Sequence, residues 1–407
     1  MLENFIHRGT LTLVGPDGRV RQYGDGKAPA VRLSIADKQT ARRLFFNPGL
    51  ALGESYMDER IRIEQGEIYD FLDLCFANLG WDTPNSLRHM ARVIFGLGRR
   101  IAQYNPIKRA RANVAHHYDL SDSLYDLFLD SDRQYSCAYY VRPGDSLEQA
   151  QEQKKRHIAS KLLLEPGLKV LDIGSGWGGL GLYLAQVAGV DVTGLTLSQE
   201  QHKVSNRRAR DGGLGDRVRF EFRDYREAAG QYDRIVSVGM FEHVGIVHYR
   251  AYFEKIRDLL TDDGVALLHT IGRADGPGST NAWIRKYIFP GGYSPALSEI
   301  MPVIERVGLH VTDIEVLRLH YAETLKAWRR RFNANRKRIA EIYDERFCRM
   351  WEFYLAASEA TFRHSGHVNF QIQLAKRVDT VPLTRDYMVD WERRQALTLP
   401  NNASAAE

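Results

Sequence analysis

The stretch Leu168-Lys169-Val170-Leu171-Asp172-Ile173-Gly174-Ser175-Gly176-Trp177-Gly178-Gly179 decides the fold. A short apolar run of strand character ends in a glycine-dense turn, and a helix is expected from about Trp177. Glycines there let backbone approach a ligand and turn sharply. Strand-like runs recur downstream at 190–196, 217–222, 232–239 and 264–272, with helices predicted to begin near Ser198 and His248. Strand and helix in alternation are the signature of a parallel sheet joined by right-handed crossovers. The expectation is an α/β, doubly wound, Rossmann-like sheet with its chemistry at the carboxyl ends of the strands, near the switch point.

The chain has 407 residues, enough for one large and one small domain. Residues 1–105 read as a small α+β unit without catalytic signals, with strand-like runs around a Gly15-Pro16-Asp17-Gly18 turn. Its last part, 85–104, carries Leu87, Met90, Val93, Ile94, Leu97 and Ile101 at helical spacing with arginines between them. A larger domain is expected over 106–395 and a flexible tail over 396–407. No run of about 18 apolar residues occurs, and Glu3 stands where a signal peptide would be basic, so a cytoplasmic location is expected.

Cys75, Cys137 and Cys348 lack CxxC spacing, which argues against a disulfide framework or a zinc site, and no metal is expected. The net charge of +5 is unevenly placed, with basic clusters around 88–111 and 329–338 that suit an anionic partner. Neither cluster has the regular aromatic interleaving that base stacking needs, so an anionic membrane surface is preferred over nucleic acid.

Read literally, Gly174, Gly176 and Gly179 fit a dinucleotide-binding GxGxxG. Two features favour a methionine-derived nucleoside instead. Asp172 lies inside the turn, and the position where an acid would grip a ribose is Gly194. The DxGxGxG pattern resembles motif I of class I S-adenosylmethionine methyltransferases. Most of these carry an acid at the end of the second strand; here the chain reads Gly194-Leu195-Thr196. Asp224, after the third strand, is a candidate for the adenine amino group.

Reactive side chains concentrate in Tyr135-Ser136-Cys137 and Phe241-Glu242-His243, with His269 ending the fifth strand and His320-Tyr321 further on. A thiol, a carboxylate, an imidazole and a phenol are thus expected to converge above the sheet's carboxyl edge. YSCAYY, LDIGSGWGG, GLTLSQEQ, GMFEHVG, LLHTIG, YIFPGG and HYAETLKAW together resemble the cyclopropane-fatty-acyl-phospholipid synthases and their mycolic acid cyclopropane synthase relatives. The resemblance spans roughly 112 to 390, and LGESYMDE (52–59) is similar to the smaller lipid-engaging domain of the phospholipid enzymes.

The resemblance implies that Tyr135 and Ser136 hold the methionine part of S-adenosylmethionine with Gly174 and Gly176, while Thr196 and Gln201 serve the ribose side. It further implies a bicarbonate ion held by Cys137, Glu242, His269, Tyr321 and the Ile271 backbone. An unsaturated phospholipid substrate, peripheral association with the inner face of the membrane and a homodimer follow from it. The segment 283–292 is expected to be a lid over the acyl channel, and the basic helix 85–104 to meet headgroups. Rival readings are a methyl- or methylene-branched product, methylation of a small amine or hydroxyl compound, a non-catalytic lipid-binding protein, a nucleic-acid methyltransferase, and Cys137 as a covalent nucleophile.

Overall fold

The computed structural model describes residues 5–79 and 122–398. The helix expected over 85–104 lies outside the described residues, as does most of the expected tail.

The amino-terminal sheet begins with β1 (Thr10–Val14) and β2 (Val20–Gly24), paired antiparallel across the Gly15–Gly18 turn. Strand β3 (Ala30–Ile35) runs parallel to β1, and β4 (Ile61–Gln65) antiparallel to β3, giving the order β2-β1-β3-β4. Alternation buries Leu11, Val31, Leu33 and Ile61 in one cluster with Phe71, Leu72 and Leu74 of the helix Ile68–Leu79.

The five expected strands of the large sheet appear as β5 (Lys169–Ile173), β6 (Asp191–Thr196), β7 (Val218–Phe222), β8 (Tyr232–Val238) and β9 (Leu260–Arg273), all parallel to their neighbours among these five. Two strands that the sequence did not reveal, β10 (His310–Leu317) and β11 (His367–Ala375), add antiparallel beyond β9. The order is β10-β11-β9-β8-β5-β6-β7. The chain winds from β5 outward to β7 and returns to β8 on the other side of β5, so the switch point lies between β5 and β8. Strand β11 escaped detection because its polar Asn369, Gln371 and Gln373 are all buried, which removes the polar-out alternation.

The LGESYMDE stretch fastens the two sheets' units together. Gly53, on the helix Pro48–Met57, lies so close to Trp283 that a Cβ would stand 2.4 Å from the indole nitrogen. That nitrogen donates to Met57 Sδ at 3.3 Å. Glu54 accepts from Lys286 Nζ at 2.7 Å, from the Tyr287 hydroxyl at 3.0 Å and from Arg43 at 2.6 Å. Tyr56 OH donates to Glu352, and Arg349 donates to the Met57 carbonyl. The segment expected to be a lid is therefore held at Trp283, Lys286 and Tyr287 by the amino-terminal unit.

Gly53→Ala should destabilise the fold by about 1–3 kcal/mol through overpacking against the buried indole. In a denaturation double-mutant cycle with Trp283→Ala, the cost of the added methyl should largely vanish. Additive losses would show that the contact does not set the docking.

Candidate active site

Burial and backbone geometry explain the cavity above β5. Val170, Leu171, Asp172 and Ile173 are all buried, and the chain then turns at Gly174, whose φ of 82° favours glycine and whose absent Cβ would stand 2.8 Å from Met240 Cβ. The turn opens onto a cavity lined by Tyr135, Ser136, Asp172, Gly174, Gly176, Thr196, Gln201 and Asp224. The carboxyl end of β8 closes it with Val238, Gly239 and Met240, so it sits at the switch point.

The second strand's missing acid has a steric context. A Cβ at Gly194 would come 2.4 Å from the Phe220 ring, and Thr196 instead donates its hydroxyl proton to Gln201 Oε1 at 2.8 Å. Asp224 is buried and held by Arg226, with Nε–Oδ1 at 2.8 Å and a second bond to Oδ2 at 2.7 Å. It reaches the cavity as half of a forked ion pair rather than as an unengaged acceptor.

Beside the cavity lies a second group of polar residues. Glu242 occupies the single turn Phe241–His243 just after β8, and its next neighbour, His243, lines the cavity. Glu242 Oε1 accepts from the Ile271 N–H at 2.5 Å, while Oε2 is buried without a hydrogen-bond partner. Burial pushes this carboxyl up to about 7. The β9–β11 register sets Gln371 opposite His269 and Asn369 opposite Ile271. Their amide nitrogens lie 3.2 Å from Nδ1 and 3.4 Å from Nε2 of His269. Burial pulls His269 down to about 3, so the imidazole is neutral.

Cys137 is buried, its thiol donates to the Ala138 carbonyl at 3.3 Å, and burial pushes its pKa well up. A protonated, inaccessible thiol is a poor nucleophile. Ala138 N–H donates to Thr324 Oγ1 at 3.0 Å, tying the Cys137 segment to the helix His320–Ala334 that carries Tyr321. Trp328 of the same helix stacks on Tyr135 at 5.0 Å and meets Tyr321 edge-on at 5.8 Å. One indole thus relates the cavity's Tyr135 to Tyr321.

A model of the mycolic acid cyclopropane synthetase family matches residues 106–372, and a domain of unknown function, DUF7884, matches residues 6–80. The cyclopropane-fatty-acyl-phospholipid synthase of Escherichia coli (strain K12) is 38% identical over 87% of this chain and 90% of its own length. The chain belongs to the mycolic acid cyclopropane synthetase family. The tuberculostearic acid methyltransferase UfaA1 of Mycobacterium tuberculosis is 36% identical over 88% of this chain and 86% of its own length. The mycolic acid cyclopropane synthase CmaA1, solved with SAH and CTAB, has a TM-score of 0.63 and 32% identity, covering 67% of this chain and 99% of that one. The fold is that of a class I methyltransferase, and the family relation supports S-adenosylmethionine as the cofactor.

Within this cyclopropane synthetase framework, several cavity residues had not been anticipated: Arg133, Gln134, Lys154, Tyr225 and Arg226. Lys154 had a legible signal. It shares a helical stripe with buried Leu147, Ala150, Gln151 and Ile158 on the helix Leu147–Lys161, a core position for a charged residue. Asn369 and Gln371 had none, since β11 itself was not recognised. Among the described residues no group of three or more His, Cys, Asp or Glu could hold a metal, and no helix is long and apolar enough to cross a membrane.

The raised Glu242 pKa carries a stability cost with a defined sign. Its folded value lies above the ordinary carboxyl value, so stability is full at low pH and falls as pH rises toward and through about 7. Glu242→Gln keeps the acceptor for Ile271 without the charge. It should equal the wild type near pH 4 and exceed it by about 2–3 kcal/mol at pH 8 in denaturant titrations. Equal stability at both pH values would contradict the burial argument. Alkylation by iodoacetamide at pH 8, mapped by mass spectrometry, should leave Cys137 unmodified in the folded protein; rapid labelling would restore the nucleophile reading.

Proposed function

We propose that this protein adds a one-carbon unit from S-adenosylmethionine across the cis double bond of an unsaturated phospholipid acyl chain, closing a cyclopropane ring. The observation that carries the reading is Glu242, buried next to a cavity residue with one oxygen held by Ile271 and the other without a partner. An unpartnered buried oxygen is costly, and it implies a polar occupant.

The residues present fit a small oxyanion such as bicarbonate. A carboxyl near 7 can hold or release a proton at neutral pH, the Cys137 thiol stays protonated, and Tyr321 adds a phenol. When bound, S-adenosylmethionine supplies an electrophilic methyl on sulfonium, and bicarbonate supplies a base small enough for a crowded pocket. Glu242 orients that base and can take its proton, neutral His269 is fixed by the Asn369 and Gln371 amides that meet both of its ring nitrogens, and the Tyr321 ring stabilises a nearby carbocation. Trp328 and Phe362, buried against the Tyr321 ring, keep water from its side of the site. Methyl transfer would break the sulfonium's bond to its methyl, release S-adenosylhomocysteine and use the alkene's π pair for one carbon–carbon bond, leaving a cation; a proton would then pass from the new methyl to the base, and the freed C–H electron pair would close the second bond.

A phospholipid substrate is supported by the extent of the similarity. The Escherichia coli relative matches across both units, whereas cyclopropane mycolic acid synthase 3 matches over 62% of this chain and 92% of its own length. Attachment to an anionic inner membrane face is supported by exposed Phe45 and Phe46 beside exposed Arg42 and Arg43 on the helix Lys38–Phe46. A homodimer completes this reading by analogy with the family. A branched product has its own footing, because the tuberculostearic acid methyltransferase matches over an equal share.

Purified protein incubated with labelled S-adenosylmethionine, bicarbonate and unsaturated phospholipid vesicles should yield acyl chains heavier by CH₂ with no double bond and an intact ring. A labelled chain that keeps unsaturation, or a saturated methyl branch, selects the second reading, and no lipid label overturns both. Glu242→Gln should lower turnover by about 100-fold or more while S-adenosylhomocysteine binding is retained.

A further inference from the structure

Outside the cofactor cavity, a second set of titratable groups gathers on His157, a buried residue of the helix Leu147–Lys161. Its Nε2 lies 2.6 Å from a carboxylate oxygen of Glu315 on β10, and its Nδ1 lies 2.5 Å from one of Glu392 on the helix Asp386–Thr398. The imidazole also stacks on Tyr139, with ring centroids 4.1 Å apart and planes 12° from parallel. Tyr139 in turn stacks on His320 at 4.7 Å and 9°, so three rings form one stack.

That stack joins the helices that hold the Tyr135-Ser136-Cys137 segment. Tyr139 N–H donates to the Ala150 carbonyl of the Leu147–Lys161 helix at 3.0 Å, and Gln151 of the same helix donates to the Ser136 carbonyl at 3.0 Å. Ala138 and Tyr140 N–H run the other way, to Thr324 Oγ1 and His320 Nδ1 of the helix that carries Tyr321, each at 3.0 Å. An imidazole that meets a carboxylate at both nitrogens is satisfied only as the cation, because the neutral ring has one N–H and turns a lone pair on the second carboxylate. The neighbouring charges agree. β10 contributes Glu315 and Asp313, the carboxyl-terminal helix Glu392 with Arg385 just before it, and the ring's own helix Lys161; His320, with Arg318 nearby, and Tyr139 complete the surroundings. Lys161 meets Glu315 and Arg385 meets Asp313, so among these groups His157 is the cation that answers Glu392. Burial alone would pull His157 down, but its bonds to Glu315 and Glu392 outweigh that and raise its pKa, and a cation over the Tyr139 face is favourable as well.

We propose that protonated His157 is a positioning residue for the lipid reaction: clasped by Glu315 and Glu392, it draws the carboxyl-terminal helix onto the wall of the site and, through Tyr139, holds the Tyr135-Ser136-Cys137 segment in place. Glu392 is the second half of the clasp. The folded pKa of His157 lies above the ordinary imidazole value, so the clasp is complete below that value and is lost as pH rises through the folded one. Its effect on turnover rests on the function proposed above; the clasp itself does not.

The test is amide hydrogen exchange of the full chain at pH 6 and pH 9, corrected for intrinsic rates, in peptides covering 386–395 and 135–141. In wild type both regions should exchange faster at pH 9 by about 10-fold or more, the range of one charge-assisted hydrogen bond, while the helix Gln199–Asp211 beside β7 should not. Glu392→Gln should flatten that step, because a carboxamide accepts from the charged ring and donates to the neutral one. With labelled S-adenosylmethionine, bicarbonate and unsaturated phospholipid vesicles, the ratio of Glu392→Gln to wild-type kcat should rise by about threefold or more between the two pH values. Equal protection at both pH values, or an equal step in all three regions, would overturn the proposal. A kcat ratio that does not change with pH would make Glu392 a structural support and overturn it too. If the variant does not fold, a wild type without the exchange step is sufficient to reject it. A wild type that labels no lipid at either pH would instead remove the lipid reading, and the exchange step would still decide the clasp.

Discussion

Desolvation of charge at the carboxyl end of the large sheet is the constraint on which the rest depends. Asp172, Lys154 and Glu242 are buried there, and burial pushes the two carboxyls up to about 7 and pulls the ammonium down to about 8. Each shift is energy taken from folding. A marginally stable chain tolerates that only with a large apolar core behind the site. Here β5, β8 and β9 supply it, with Leu171, Ile173, Ile235, Ala266 and Leu268 in one continuous cluster. Stability has been given up locally so that ligand groups meet charges already stripped of water.

The antiparallel edge contributes chemistry as well as stability. Were β9 the last strand, His269 and Ile271 would face solvent or a helix. Pairing with β11 sets Gln371 and Asn369 directly across from them, so a buried imidazole has amide neighbours instead of water. The same pairing leaves the oxygens Oδ1 of Asn369 and Oε1 of Gln371 buried without hydrogen bonds, as is Oε2 of Glu242. That concentration of unmet hydrogen-bonding capacity in a closed core is the physical mark of a site that expects polar occupants.

The amino-terminal unit is coupled to the site through packing. Glu54 gathers Arg43, Lys286 and Tyr287, and Trp283 is seated over Gly53. Beyond this anchor the chain continues to Phe289, whose ring lies 5.9 Å from both His243 and Tyr354, and to Tyr293, whose N–H donates to the Glu242 carbonyl at 2.9 Å. A continuous path of contacts therefore runs from a surface helix with exposed phenylalanines to the backbone of Glu242.

The sequence by itself determined the parallel strands, their order of appearance and the glycine turn, because period and turn chemistry are local properties of the chain. It also singled out Tyr135, Ser136, Asp172, Gly174, Gly176, Thr196, Gln201 and Asp224, and the tertiary structure gathers all eight around one cavity. Only the tertiary structure decided which of the neighbouring lysines Lys154 and Lys155 faces that cavity, that Asp224 is bound by Arg226, and that β11 stands against His269. These depend on burial and on pairing between residues distant in the chain, such as His269 and Gln371. Local pattern carries no record of such contacts, since a charged or amide side chain reads as surface until the fold removes its water.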